Sequence, residues 1–149
     1  MSETDYSKVT FDLTLAAARA LLAQSAGMTF IYVSGEGTDS TEKGRTIWAR
    51  VKGKTENALL ALGFRRAYMF RPGFIRPLDG IKSKTASYRM VYALLGPVFP
   101  VVKALAPTHV TTTRNVGQAM IRVALNGYEK PVLENPDINA VAGEGAIHQ

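Results

Sequence analysis

The sequence of 149 residues contains no cysteine. Disulfide bonds, thiolate metal sites and cysteine nucleophiles are therefore excluded, and the absence fits a reducing compartment. Histidine is nearly absent too: His109 and His148 have no partner at metal-ligand spacing, so no metal site is predicted. The first ten residues lack the apolar core of a signal peptide. A cytoplasmic location is the resulting expectation.

The length and the hydrophobic content of 46% predict a single globular domain with a real core. Basic residues number 18 against 12 acidic ones, which gives a net charge of +6. A solvated basic surface is the ordinary explanation, and an anionic ligand such as a dinucleotide, or an acidic membrane surface, is the alternative. Nucleic acid is not a predicted partner because no DNA- or RNA-binding motif appears.

The first half of the chain alternates helix and strand. Residues 6–24 predict a helix that is apolar nearly all round, hence buried between layers or against a partner. Residues 28–34 are a β-branched and aromatic run, which predicts a buried parallel strand. A polar loop (35–44), a helix (45–62) and a second strand (66–72) follow. Together they predict one right-handed βαβ unit in a parallel sheet.

The second half is less regular. Residues 88–107 are strongly apolar but interrupted by glycine and proline, which predicts two short amphipathic helices over a substrate cleft, with peripheral membrane contact as an alternative. Thr113 is the predicted N-cap of a long helix that Gly127 ends. Residues 131–135 predict a short strand, and 138–149 read as a tail.

Three motifs carry a family resemblance, and they occur in the order IYVSGEGTD, WARVKGKTENALLALGF and AYMFRPGFIRP. They resemble the second half of the NAD-dependent epimerase/dehydratase type of short-chain dehydrogenase, above all its small atypical members with a V-K-G-x-x-E helix followed by F-R-P-G. The resemblance covers roughly residues 6–135. It implies an α/β fold with a partial doubly wound parallel sheet of Rossmann type over residues 1–135, and a C-terminal tail at 136–149.

The resemblance also assigns candidate site residues. Ser34 matches the strand-end serine that orients the substrate oxygen, and Lys52 matches the lysine that binds the nicotinamide ribose. Residues 74–108 match the segment that shapes the substrate side. The implied cofactor is NAD or NADP, and the substrate is unknown. The predicted cofactor-binding residues are Lys52, Arg71, Pro72, Gly73 and Phe74.

Trp48 departs from the family pattern. Members of the family carry a YxxxK pair, in which the lysine lowers the pKa of the phenol and the phenol exchanges a proton with the substrate. Here position 48, one helical turn before Lys52, is tryptophan. Its indole N–H donates a hydrogen bond but does not titrate in water. The catalytic set Ser34, Trp48 and Lys52 is therefore expected to be inactive in proton transfer.

The phosphate-binding half of the family fold has no match. Family members begin with a strand and a Gly-rich turn that holds the pyrophosphate, whereas this chain begins, by resemblance, after the fourth strand. We therefore expect a fragment that lacks autonomous catalysis. An open sheet edge and exposed apolar helix faces predict that it associates with itself or with the missing N-terminal half.

Several features have a plainer interpretation. The segment Gly35–Ser40 imitates a G-x-G-x-x-G phosphate turn, but it lacks the third glycine and no helix is expected until about Arg45, which favours an ordinary loop. Ser34 could simply end its strand, and Lys52 could be solvated. Arg71 could bind phosphate or pair with Asp79 or Glu56.

Two functional classes remain open. The first is an NAD(P)-dependent oxidoreductase or epimerase remnant that works only with a nucleotide-binding half. The second is a non-catalytic binding or regulatory module of the same fold, in which Trp48 prevents proton transfer.

Overall fold

The computed structural model of the chain describes residues 2–78 and 107–143. These residues form an α/β fold of helices and small parallel sheets. The strands are β1 (Thr29–Val33), β2 (Arg66–Arg71), β3 (Phe74–Arg76), β4 (Val110–Thr112) and β5 (Val132–Glu134). The helices are α1 (Glu3–Ser7), α2 (Leu13–Gln24), α3 (Ile47–Leu60), α4 (Thr113–Asn126) and α5 (Asn135–Gly143). A π-helical stretch, Lys8–Asp12, joins α1 to α2, and a 3-10 turn, Pro107–His109, precedes β4.

Two parallel sheets organise the described residues. The larger has the order β1-β2-β5, with Ile31 opposite Tyr68 and Phe70 opposite Leu133. The smaller pairs β3 with β4. Because β1 and β2 are parallel neighbours joined through α3, the predicted βαβ connection is confirmed.

The larger sheet is covered by helices on both faces, because successive residues of a strand point to opposite sides. Tyr68 and Phe70 of β2 face a core cluster built with α4 and α5. Met69, between them, faces a second cluster with Leu15 of α2 and Leu59 of α3. The alternation along β2 therefore divides the interior into two cores.

The N-terminal helix and the first strand are both less buried than their sequences predict. Residues 3–24 are helical, but of α2 only Leu15 and Ala18 are buried within the chain, so burial between two layers is wrong, and burial against a partner stays a prediction. Strand β1 is parallel, as predicted, yet its residues are half-buried and Val33 is exposed. The reason is its place at the outside of the described order β1-β2-β5.

The apolar side of helix α3 is largely its inner face, and polar side chains are buried beside it. Val51 is buried, and Ala58 and Leu62 pack against the second core cluster, whereas Ile47 at the start of the helix is exposed. The polar side chains of Thr55 and Glu56 are buried as well. The loop after β1 covers part of α3, and polar partners at the end of the sheet hold Glu56. Apolar periodicity cannot detect either contact.

The C-terminal part corrects two expectations. The N-cap of α4 is Thr112 rather than Thr113, because the Thr112 hydroxyl accepts a 3.1 Å hydrogen bond from the Asn115 N–H. Gly127 ends the helix as predicted, with a φ of 78°. The predicted tail is wrong for residues 136–143, since α5 packs Ile138, Val141 and Ala142 into the core. Strand β5 confirms the strand predicted over 131–135.

The amphipathic helices predicted within 88–107 lie outside the described residues, apart from Pro107. So does most of the segment 74–108 that was expected to shape the substrate side. No helix in the two described stretches is long and apolar enough to cross a membrane.

We predict that Gly53→Ala destabilises the chain by about 1–3 kcal/mol, as overpacking of a tight contact does. A Cβ at Gly53 would lie 1.8 Å from the carbonyl oxygen of Asp39, where the loop crosses α3. Gly117→Ala in α4 is the matched control, because a Cβ there meets nothing within 4 Å. The control should gain up to about 1 kcal/mol of helix propensity. Urea unfolding measures the free energy of unfolding of both variants. Equal changes in the two variants would contradict the close approach of Asp39 to Gly53.

Candidate functional site

The candidate site lies at the carboxyl ends of β1 and β2. Ser34 follows β1, and its N–H donates a 2.9 Å hydrogen bond to the carbonyl of Phe70. Arg71 is the last residue of β2, so both lie at one edge of the sheet. Helix α3 passes this edge and adds Lys52 and Glu56. We name these four residues, Ser34, Lys52, Glu56 and Arg71, the strand-end cluster.

Lys52 lies beside Ser34 at the end of β1. Its ammonium donates a hydrogen bond to the backbone carbonyl of Ser34. Burial lowers the pKa of Lys52, and the attraction of Glu56 opposes that shift. The side chain therefore joins α3 to the end of β1 and remains half-buried.

Trp48 lies one turn before Lys52 on α3 and is 40% exposed. Its ring covers the loop after β1, because a Cβ at Gly37 would lie 3.4 Å from the ring. The indole is therefore a surface packing group at the mouth of the site. An indole N–H does not titrate in water, so this position offers no proton to exchange.

Glu56 is the residue that the sequence did not assign to the site. It is 1% exposed, and its carboxylate accepts hydrogen bonds from the Ser34 hydroxyl and from Arg71. The sequence places it at the end of the V-K-G-x-x-E motif and as a possible partner of Arg71, without a role in the site. A signal was present, however, since an acidic residue one turn after Lys52 lies on the same side of the helix.

The Arg71 guanidinium is held from three sides. Its Nε donates to the two carboxylate oxygens of Glu56 at 3.0 and 3.2 Å, and its Nη1 donates to Glu134 at 3.0 Å. Its Nη2 donates to the hydroxyl of Ser40 and to Glu56. The hydrogen bonds of Glu56 raise the pKa of Arg71. Of the alternatives for Arg71, the pair with Glu56 is formed, and Asp79 lies outside the described residues.

The turn after β2 is tightly enclosed. The Gly73 N–H donates a 2.9 Å hydrogen bond to the side chain of Asn135, and a Cβ at Gly73 would lie 2.2 Å from the carbonyl oxygen of His109. The carbonyl of Pro72 accepts a 3.0 Å hydrogen bond from the Glu36 N–H. Phe74 begins β3. The predicted cofactor-binding turn thus packs against protein backbone.

His109 is an exposed residue that pairs with Glu36 at the edge of this turn. His148 lies outside the described residues. Within residues 2–78 and 107–143, no group of three or more histidine and acidic side chains could hold a metal ion.

The loop after β1 does not form a phosphate-binding turn. The Asp39 N–H donates a 3.0 Å hydrogen bond to the Ala49 carbonyl of α3, and the Asp39 carboxylate accepts from the N–H groups of Thr41 and Gly44 at 2.9 and 2.6 Å. The loop is folded on itself and continues to Thr46, since α3 begins at Ile47. The segment Gly35–Ser40 is therefore an ordinary loop, as the missing third glycine indicates.

Neither strand tyrosine supplies the phenol that the family resemblance implies near Lys52. Burial raises the pKa of Tyr32 to about 12, so the phenol stays protonated near neutral pH. The hydroxyl of Tyr68 accepts a 3.0 Å hydrogen bond from the Tyr128 N–H, and its ring packs against α4 and α5.

Comparison with known proteins does not identify a family. No protein-family model matches the chain, and no curated protein matches it. The resemblance to the short-chain dehydrogenases therefore stays a prediction from the motifs.

We predict that Glu56→Gln lowers the free energy of unfolding by about 3 kcal/mol, because it leaves a largely buried guanidinium short of a charge partner. Glu134→Gln is the matched control, since this carboxylate binds the same Arg71 but its side chain is 47% exposed. The control should lower the free energy of unfolding by less than about 1 kcal/mol. Chemical denaturation of both variants measures the difference. If Glu134→Gln lowered the free energy of unfolding as much as Glu56→Gln, the prediction that the buried carboxylate of Glu56 stabilises the fold more than Glu134 would be contradicted.

Proposed function

We propose that the chain is a non-catalytic binding unit of the short-chain dehydrogenase and epimerase kind, which holds the nicotinamide-ribose side of NAD or NADP at Lys52. The contact of Lys52 with the end of β1 is the observation that carries this proposal. In open α/β sheets, ligands bind outside the carboxyl ends of parallel strands, where this lysine lies. The parallel order β1-β2-β5 is compatible with part of a doubly wound sheet.

The site suits a ribose. An ammonium has three donors, and Lys52 spends one on the Ser34 carbonyl, which leaves two for the neighbouring hydroxyls of a sugar. The exposed indole of Trp48 supplies an apolar surface one helical turn away. A bound nicotinamide ring would supply hydride chemistry. The residues of this chain would hold and orient it.

The site does not suit a pyrophosphate. Within the described residues, no G-x-G-x-x-G turn opens directly onto a helix N-terminus, and the Arg71 guanidinium is engaged by protein partners on all three nitrogens. The Glu36 carboxylate also lies in the loop after β1, where it would repel a phosphate. The pyrophosphate would need groups other than those described.

The described groups also argue against proton transfer by this chain. Trp48 stands where the family has its phenol, and burial raises the pKa of Tyr32 to about 12. The hydroxyl hydrogen of Ser34 is directed to the Glu56 carboxylate, so the oxygen offers lone pairs rather than a donor to a substrate carbonyl. Binding without catalysis is the function these groups support.

A regulatory or partner-binding module of the same fold is the second candidate. The observation that favours it is the exposure of the Trp48 ring beside the loop after β1. A solvent-exposed indole is a typical anchor of protein–protein contacts. In that case Lys52 would bind the partner protein rather than a ribose.

We predict that nicotinamide mononucleotide binds with a dissociation constant of about 1 mM, and that Lys52→Gln weakens this at least about tenfold. NAD should bind no more than about twofold tighter, because the described residues offer nothing to the pyrophosphate. Ligand-observed NMR titration measures both affinities. Lys54→Gln is the matched control, since Lys54 lies on the same helix over the ring of Phe11 and away from Ser34.

Two results would contradict the proposed ribose site. One is mononucleotide binding that Lys52→Gln leaves unchanged. The other is an NAD affinity far above that of the mononucleotide, which would show that a pyrophosphate site exists in this chain. A loss of binding in Lys54→Gln as well would assign the effect to net charge.

We predict that Trp48→Tyr creates a phenol whose pKa lies below the usual value of about 10, because the Lys52 ammonium is one helical turn away. The double variant Trp48→Tyr/Lys52→Met should return the pKa to its usual range. Carbon-13 NMR of labelled tyrosine, with Trp48→Phe as the spectral blank, follows the titration. Equal pKa values in the single and double variants would refute the pairing of the two positions.

A further inference from the structure

The N-terminal helical segment, residues 3–24, has a second apolar face. Its inner face packs Phe11, Leu15 and Ala18 against the sheet. Residues that differ by two positions lie about 200° apart on a helix, so residues two places before or after these point away from the core. We name the following exposed side chains the outward stripe: Val9, Leu13, Ala16 and Ala20.

The outward stripe contains large apolar side chains in solvent. Val9 is 56% exposed and Leu13 is 66% exposed. The π-helical stretch between α1 and α2 widens one turn, yet both side chains remain on the outer side. A continuous row of this kind is uncommon on a monomer surface and indicates a contact surface.

The spacing of the outward stripe is that of a helix pair. Its members follow one another after four, three and four residues, which is the a/d spacing of a coiled-coil seam. Val9 and Leu13 supply apolar contact at one end, and Ala16 and Ala20 at the other end let a second helix approach closely. A second helix is therefore the element that this surface fits.

The charges beside the stripe identify which helix fits. Asp12 and Arg19 come directly before Leu13 and Ala20, so both flank the same side of the seam. Within the described residues neither has an ion pair. In a parallel pair of identical helices Asp12 and Arg19 would face neutral residues of the other helix, Ala17 and Gln24, and would gain no ion pair. In an antiparallel pair Asp12 comes opposite Arg19, and two-fold symmetry makes the contact twice.

We propose that the outward stripe is a homodimer interface, in which two copies of this chain pack their N-terminal helices antiparallel with Asp12 of each opposite Arg19 of the other. One helix pair lies at the small end of the range of specific interfaces, so the dimer is weak and reversible, with a dissociation constant on the order of 10–100 µM. The outward stripe shares no residue with the strand-end cluster, so its test does not rest on the proposed ligand site.

Sedimentation equilibrium of the full chain over a wide concentration range tests the interface. The wild-type chain should shift from monomer to dimer, and Leu13→Glu should raise the dissociation constant at least about tenfold by placing a carboxylate in the seam. Leu125→Glu is the matched control, because Leu125 is a leucine of α4 that is 75% exposed. It should leave the dimer unchanged, and circular dichroism checks that each variant is folded.

Charge reversal tests the antiparallel orientation. Asp12→Arg alone and Arg19→Asp alone should each weaken the homodimer about tenfold, since each replaces two attractions by two repulsions. The double variant Asp12→Arg/Arg19→Asp should restore it. Mixing the two single variants should produce a heterodimer, because one then carries two arginines and the other two aspartates at these positions.

Three outcomes would overturn the homodimer. The first is a chain that stays monomeric at every concentration, which would mean that the outward stripe contacts a different protein. The second is a dimer that Leu125→Glu disrupts and Leu13→Glu does not. The third is a charge-swapped double variant that stays as weak as the single ones, which would exclude the antiparallel pairing.

Discussion

The buried carboxylate of Glu56 is the constraint on which the rest of the structure depends. A charge with 1% exposure is tolerated only when cationic and hydroxyl partners replace water. Arg71 at the end of β2 and Ser34 at the end of β1 fill that role. Because Glu56 belongs to α3, one side chain fixes the helix against both strands, and Glu134 extends the network to β5 through Arg71.

The same network limits what the site can do. The donors of Ser34 and Arg71 are directed inward, so they stabilise the fold and are not available to a ligand. Lys52 has spare donors, and Trp48 has an exposed ring. The half-buried ammonium of Lys52 and the exposed ring of Trp48 are therefore the groups that can contact a ligand.

Sequence reasoning succeeded where the pattern is local. The run at 28–34, the helix after it and the strand at 66–71 follow from apolar periodicity and turn residues, and Lys52 does meet the end of β1. It failed where partners are distant in the chain. The burial of Glu56 depends on Arg71, and the helix at 135–143 is held by Tyr68 and Phe70 of β2, so its short glycine-containing sequence reads locally as a tail.

The sequence by itself determined the alternation of helix and strand, the lack of thiol chemistry and the absence of a titrating group at position 48. These follow from residue identity and short-range periodicity. Tertiary structure decided which polar groups are buried, which face of the N-terminal helix stays in solvent, and that the loop after β1 folds against α3 at Gly53. The physical reason is that burial and hydrogen-bond pairing are properties of contacts between segments, and no single segment contains both partners.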